Sequence, residues 1–212
     1  VFYQSAQKGS RSLTSNKKKW ITFVGKLNKA KGYDVFCGAI SRILNKYPNW
    51  KAKIIGDEKR EKIKLIHKNA DILGFKKHDD VIKIFKKSSI AVACSRWEEP
   101  FGRTSLEASA NGCAVVITNR GGLPETVTNA KILKNLSVKN LENSLSELIK
   151  EKNLRKNLQR LSIKNFYLTH KFISNLIDNY RSEKIKKIFF LRANKKQSNL
   201  RILHITNFNE RL

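Results

Sequence analysis

The chain has 212 residues, enough for one well-buried domain with some length to spare. It carries 44 basic against 17 acidic residues, a formal balance of +27, which points to an anionic partner: a nucleoside diphosphate, anionic lipid headgroups or nucleic acid. No apolar run approaches the ~18 residues of a membrane span, and three cysteines without a Cys-x-x-Cys pair argue against a disulfide framework.

The lysines are scattered along the whole chain among asparagines and isoleucines. With no recognition-helix, zinc-finger or aromatic RNA-binding signature, nucleic acid is not expected as a partner. Cys37, Cys94 and Cys113 each sit in an apolar context, as reduced, buried thiols of a cytosolic protein do. No secretory signal is visible. Val1 in place of Met, and the lack of any methionine, suggest a piece of a longer chain.

Residues 1–19 are polar and basic without helical periodicity and read as an interdomain linker, with Phe2 and Tyr3 as the last trace of a preceding domain. Trp20–Val24 is a first strand, ended by Gly25. A helix is predicted from about Lys31 to Tyr47, with Val35, Phe36, Ile40, Ile43 and Leu44 on one face and Pro48 as its stop. Ala52–Ile55 is a second strand, followed by a charged, helical connection from Glu58 to Asn69. Asp71–Leu73 is a short third strand, and Asp79 is predicted to cap a helix running through Lys87. Ile90–Cys94 is a fourth strand; a loop follows, then a helix that Gly112 stops. Ala114–Thr118 and Ile132–Leu133 are strands five and six.

Leu141, Leu145 and Leu148, then Leu154, Leu158 and Leu161, mark two amphipathic helices, and Phe172–Tyr180 a closing one. Strand and helix alternate throughout, which argues for a parallel sheet with helices on both faces. The domain is placed at residues 20–181. Residues 182–212 read as a basic linker that leads, at Leu200–Thr206, into either the first strand of a truncated α/β domain or an extra edge strand.

The loop after strand four carries the densest chemistry. Arg96 to Gly112 sets Glu99 and Glu107 around a Pro100-Phe101-Gly102 turn that opens into a helix. In an open α/β sheet, ligands bind at the carboxyl ends of strands. Gly102 lets a bulky ligand approach the backbone. The first helix N–H groups, around Arg103 to Leu106, make an anion site. Glu99 can accept hydrogen bonds from hydroxyls in the cleft, and Glu107, one turn into the helix, from a second pair. The competing reading makes Thr104–Glu107 a capping box, Thr104 as N-cap and Glu107 reaching back to it.

Glu99-Pro-Phe-Gly-Arg-Thr-Ser-Leu-Glu107, then Gly112 and Gly121-Gly-Leu-Pro-Glu125, resembles the signature of glycosyltransferase family 4, retaining enzymes of the GT-B fold. The resemblance extends to Phe23–Leu27 with Lys31-Gly32, to Ile54–Asp57 and to Leu73–Phe75, and covers roughly residues 20 to 180. It implies a Rossmann-like domain, the C-terminal, donor-binding half of that fold.

In that family a basic pair, usually Arg then Lys, clamps the donor diphosphate. Here the pair is Lys26 and Lys31, flanked by Gly25 and Gly32, and a lysine cannot grip two phosphate oxygens in a planar fork. The resemblance makes Glu99 the catalytic residue, orienting the donor sugar, and gives Glu107 the ribose. Gly25, Gly102, Arg103 and Thr104 join the lysines at the diphosphate, and Phe101, Gly121 and Gly122 lie beside the donor with Glu125 supporting that loop. Arg103, where the family has an apolar residue, adds a phosphate contact or is a surface charge.

His67, His78, His170 and His204 share no metal-ligand spacing and read as solvated or satisfied. No metal or cofactor is implied. The co-substrate is a nucleoside diphosphate sugar, and the acceptor a glycan or lipid-linked molecule held by another domain. The implied setting is cell-envelope polysaccharide synthesis in the cytoplasm, with peripheral contact at the inner face of the membrane. Two alternatives are a nucleotide-sugar epimerase of similar fold and a non-catalytic basic module binding nucleic acid or membranes.

Overall fold

The computed structural model describes residues 3–194, without the side chains at positions 11, 13 and 188–194. The strand expected at 200–206 lies outside the described residues. The six strands are β1 (Lys18–Val24), β2 (Lys51–Ile55), β3 (Ala70–Ile72), β4 (Ser88–Ala93), β5 (Ala114–Thr118) and β6 (Ala130–Leu133). They form one sheet in the order β3-β2-β1-β4-β5-β6, and every neighbouring pair is parallel. The helices are α1 (Tyr33–Lys46), α2 (His78–Lys87), α3 (Arg103–Ala110), α4 (Val138–Lys150), α5 (Lys152–Lys164) and α6 (His170–Asn194).

Alternation along the strands divides the core in two. Ile21, Phe23, Ala52, Ile54, Ile90, Val92, Ala114 and Val116 face one side, against Phe36, Ile40 and Ile43 of α1 and Leu141, Leu145 and Leu148 of α4. Ile55, Ala91, Val115 and Ile117 face the other, with Val81 and Phe85 of α2 and Ala108 of α3. A sheet covered on both faces needs strands apolar at successive positions, as β5, buried along its whole length, shows. The rings of Phe23, Tyr33 and Phe36 meet with centroids 5.0–6.3 Å apart, and burying each side chain contributes roughly 1.5–3 kcal/mol.

Several expectations need correction. Residues 57–69 contain no helix. Their carboxylates bond elsewhere: Glu58 accepts from the Arg60 backbone and from Asn28, and Glu61 accepts from the Lys29 backbone, which ties this segment across the loop after β1. Asp79 is not an N-cap. The helix begins one residue earlier, at His78, with Lys77 in extended backbone before it and no side-chain cap, so Asp79 and Asp80 serve the first turn instead.

The segment expected as a linker packs on the domain from Ala6 onward. Ala6 is buried and donates its N–H to the Leu168 carbonyl, and Gly9 donates to the Ala110 carbonyl. Lys8 reaches the Phe166 carbonyl. At the other end of the chain, helix replaces the expected break at Ser182 and runs to Asn194; residues 170–194 hold no Gly or Pro to stop it. One compact unit ends at Ile173, and the second, from Ser174, is within the described residues the remainder of α6. Among the described residues no helix is long and apolar enough to cross a membrane.

Lys17 joins two helices by their ends. Its ammonium donates to the Phe85 carbonyl at 2.9 Å, near the end of α2, and to the Asn111 carbonyl at 2.6 Å, just past α3. Burial lowers its pKa, yet cationic donors at helix C-termini meet the negative end of each dipole. Lys17→Met should therefore lower stability by about 1–3 kcal/mol in denaturant titration, since two carbonyls lose their donor. By contrast Thr104, expected in one reading as an N-cap, lies inside the first turn of α3, after Gly102 at φ 97°. No cap is lost in Thr104→Ala, but its hydroxyl donates to the Val24 carbonyl at 3.4 Å, so the variant should lose about 0.5–1 kcal/mol in the same titration.

Candidate functional site

The strand order reverses between β1 and β4, so the loops leaving their carboxyl ends diverge to opposite faces and leave a crevice. Glycines set how closely the loops pack there. Gly32 has φ 71°, and a Cβ on it would fall 1.9 Å from the Cys94 carbonyl oxygen. Arg96 and Trp97 donate their backbone N–H groups to the Ala30 carbonyl, and the Arg96 guanidinium forms a bidentate pair with Asp34 at 2.6 and 2.7 Å. That pair holds the Asp34 carboxyl below the usual carboxylate range. Residues 29–34 and the Glu99 loop are thereby locked together.

A cavity of about 200 Å³ lies in the crevice, lined among others by Gly25, Lys31, Glu99, Gly102, Arg103 and Thr104. Six of the residues expected around a donor are thus brought to one hollow. Lys31 and Glu99 also meet directly: the Lys31 ammonium lies 2.6 and 2.7 Å from the two Glu99 oxygens, with Glu99 only 12% exposed. The Leu106 N–H is the first in α3 to bond within the helix, to the Gly102 carbonyl. The free groups of the first turn are therefore those of Arg103, Thr104 and Ser105, one fewer than expected. Lys26 is exposed and lines neither this cavity nor the larger one described next.

A second cavity, about 520 Å³, lies between α2, α3 and residues 5–10. Arg103 lines both hollows, whereas Glu107 lines only the larger. Glu107 is buried, and its Oε1 accepts from Arg103 Nε at 2.7 Å and from His78 Nε2 at 3.0 Å. It does not reach back to a helix cap, so the capping-box reading is set aside. Arg103 is correspondingly neither a lone surface charge nor free: it is the i,i+4 partner of Glu107.

The Gly121-Gly122 pair approaches protein backbone. The Gly122 N–H donates to the Glu99 carbonyl at 2.7 Å, and the Gly121 N–H to the Glu98 carboxylate. A Cβ on Gly121, at φ 52°, would fall 2.2 Å from the Glu99 carbonyl oxygen. These glycines thus seat the loop that carries Glu99. Phe101 stacks obliquely with Tyr3 at 6.0 Å, and Glu125 beside Tyr3 raises that phenol's pKa.

Sequence reasoning missed His78 and Arg96. The signal for His78 was position, directly after the loop at the carboxyl end of β3, on the edge that carries the site. The three thiols are buried and unpaired, and burial pushes Cys37 up to about 11 and Cys94 up to about 12, which leaves both as inert apolar filling. Among the described residues no group of three or more His, Cys, Asp or Glu could hold a metal ion.

Comparison with known proteins bears on the family and the fold. The chain is 30% identical over 142 residues to spore coat protein SA of Bacillus subtilis, covering 60% of this chain and 38% of that one. It is 29% identical over 127 residues to D-inositol 3-phosphate glycosyltransferase of Corynebacterium jeikeium, covering 53% and 30%. The chain spans less than half the length of these curated relatives. Among solved structures, Anabaena HepE in complex with UDP and glucose superposes with a TM-score of 0.68 at 20% identity, covering 86% of this chain and 56% of that one. The C-terminal domain of a group 1 glycosyl transferase from Francisella tularensis gives a TM-score of 0.62 at 24% identity, covering 77% and 93%. Residues 6–164 match the family described as glycosyl transferases group 1, and the chain belongs to that family.

Proposed function

We propose that this domain binds a nucleoside diphosphate sugar and, within a longer protein, presents it for transfer to a glycan or lipid-linked acceptor with retention at the sugar carbon. The observation that carries the reading is the convergence of Lys31, Glu99 and the first turn of α3 on one hollow at the strand-order reversal. The likeness to a protein solved with UDP and glucose supports it.

The chemistry follows from charge. When the bond from the sugar carbon to the diphosphate breaks, its electron pair leaves with the diphosphate, and negative charge grows there. The N–H groups of Arg103, Thr104 and Ser105 and the Lys31 ammonium stabilise that charge from fixed positions. Glu99 orients the sugar through its hydroxyls, and Glu107 takes the ribose in the larger hollow. Lys26, out on the loop after β1, adds charge at the rim.

Lys31 and Glu99 neutralise each other in this structure. Phosphate oxygens draw Lys31 to themselves, and the exchange releases Glu99 for the sugar. A lost charge-assisted hydrogen bond costs about 1.5–3 kcal/mol, so Lys31→Ala should weaken UDP or GDP binding by roughly ten- to hundredfold in calorimetry. Glu99→Gln should tighten binding of the nucleoside diphosphate while weakening that of the sugar-bearing donor. Weaker UDP and GDP binding in Glu99→Gln would mean that Glu99 serves only to hold Lys31 in place. The 212-residue chain alone should bind UDP or GDP without transferring sugar; no binding of either by calorimetry would remove the donor-site reading.

A further inference from the structure

His78 is the side chain at this edge of the sheet to which neither sequence pattern nor family resemblance assigns a task. It opens α2, and its Nε2 lies 3.0 Å from Glu107 Oε1. Arg103 Nε reaches the same oxygen from within α3, at 2.7 Å. A carboxylate oxygen can only accept here, so the Nε2 of His78 carries the proton. Its other ring nitrogen faces Asp79 at 3.8 Å, too long for a hydrogen bond.

The two donors differ in stiffness. Arg103 is a long side chain, 66% exposed, bonded within its own helix. The imidazole is short and rigid and comes from the neighbouring helix, α2. Both contacts use Oε1, and Glu107 Oε2 has no partner among the described residues. Glu107 also lines the larger cavity, of about 520 Å³.

We propose that His78 is a positioning residue for the nucleoside end of the donor: by donating to Glu107 Oε1 it fixes the carboxylate so that Oε2 accepts from the ribose hydroxyls. This rests on the donor-site reading above. A group that orients a ligand-binding side chain adds to affinity through it; such partners at metal sites are worth roughly ten- to hundredfold.

The test is calorimetry on the 212-residue chain with three probes: UDP, 2′,3′-dideoxy-UDP and inorganic pyrophosphate. His78→Ala should weaken UDP about five- to tenfold and leave the dideoxy analogue and pyrophosphate unchanged. His78→Gln, whose amide nitrogen reaches the same carboxylate oxygen, should recover most of the loss. The thermal midpoint should hardly move, because His78 is 55% exposed. Wild-type failure to bind either UDP or GDP would overturn the donor-site reading itself; where GDP alone binds, GDP and its 2′,3′-dideoxy analogue replace the uridine probes. Wild-type binding with an unaffected His78→Ala would overturn only the role of His78. Equal losses on all three probes would overturn it too, by showing that the imidazole acts as diffuse charge, as would a His78→Gln variant no better than the alanine.

Discussion

Parallel pairing of β1 with β4, in the register Ile21↔Ile90 to Phe23↔Val92, is the constraint on which everything at the site depends. It puts two strands side by side whose following helices, α1 and α3, lie on opposite faces of the sheet. The chain must part there, and the parting is the crevice. Backbone bonds from Arg96 and Trp97 to Ala30, the close seat of Gly32 on Cys94, and the Arg96–Asp34 pair then fix how wide the crevice is. Apolar alternation makes the sheet; these few polar ties give it an edge with a defined shape.

Charge at this edge is arranged rather than merely abundant. A balance of +27 makes a long-range attraction for anions without saying where one settles. In and beside the crevice three acidic side chains have a named cationic or donor partner: Glu99 with Lys31, Glu107 with Arg103 and His78, Glu98 with Arg120. A ligand bearing both phosphates and hydroxyls can satisfy both members of such pairs. A bare anion satisfies only the cations.

The fold was largely legible because apolar periodicity reports burial directly: β5 matches its expected span Ala114–Thr118, and Gly112 ends α3 at φ 69° as expected. The misses share a cause. Residues 57–69 are shaped by Glu58 and Glu61 reaching to the loop after β1, and residues 6–9 by backbone hydrogen bonds, neither of which leaves a periodic pattern. At the site, Glu99 and Glu107 stood out because their spacing is local. The Lys31–Glu99 pair, 68 residues apart in the chain, and the His78–Glu107 bond depend on distances between loops, which a linear sequence does not display.

Gly102 begins α3 in the left-handed region and offers no side-chain oxygen to the first turn. A Ser, Thr, Asp or Asn here would close this end from within the chain, at a gain over glycine of roughly a few tenths of a kcal/mol. Here the helix forgoes that gain, and under the donor-site reading proposed above a phosphate would stand where a side-chain cap does not. On that reading folding and binding would draw on the same three amides: a residue that capped α3 well would steady the free protein and compete with the ligand. A bound anion, by the same logic, should act as a removable piece of secondary structure, raising resistance to unfolding by about 2.7 kcal/mol when present at a hundred times its dissociation constant.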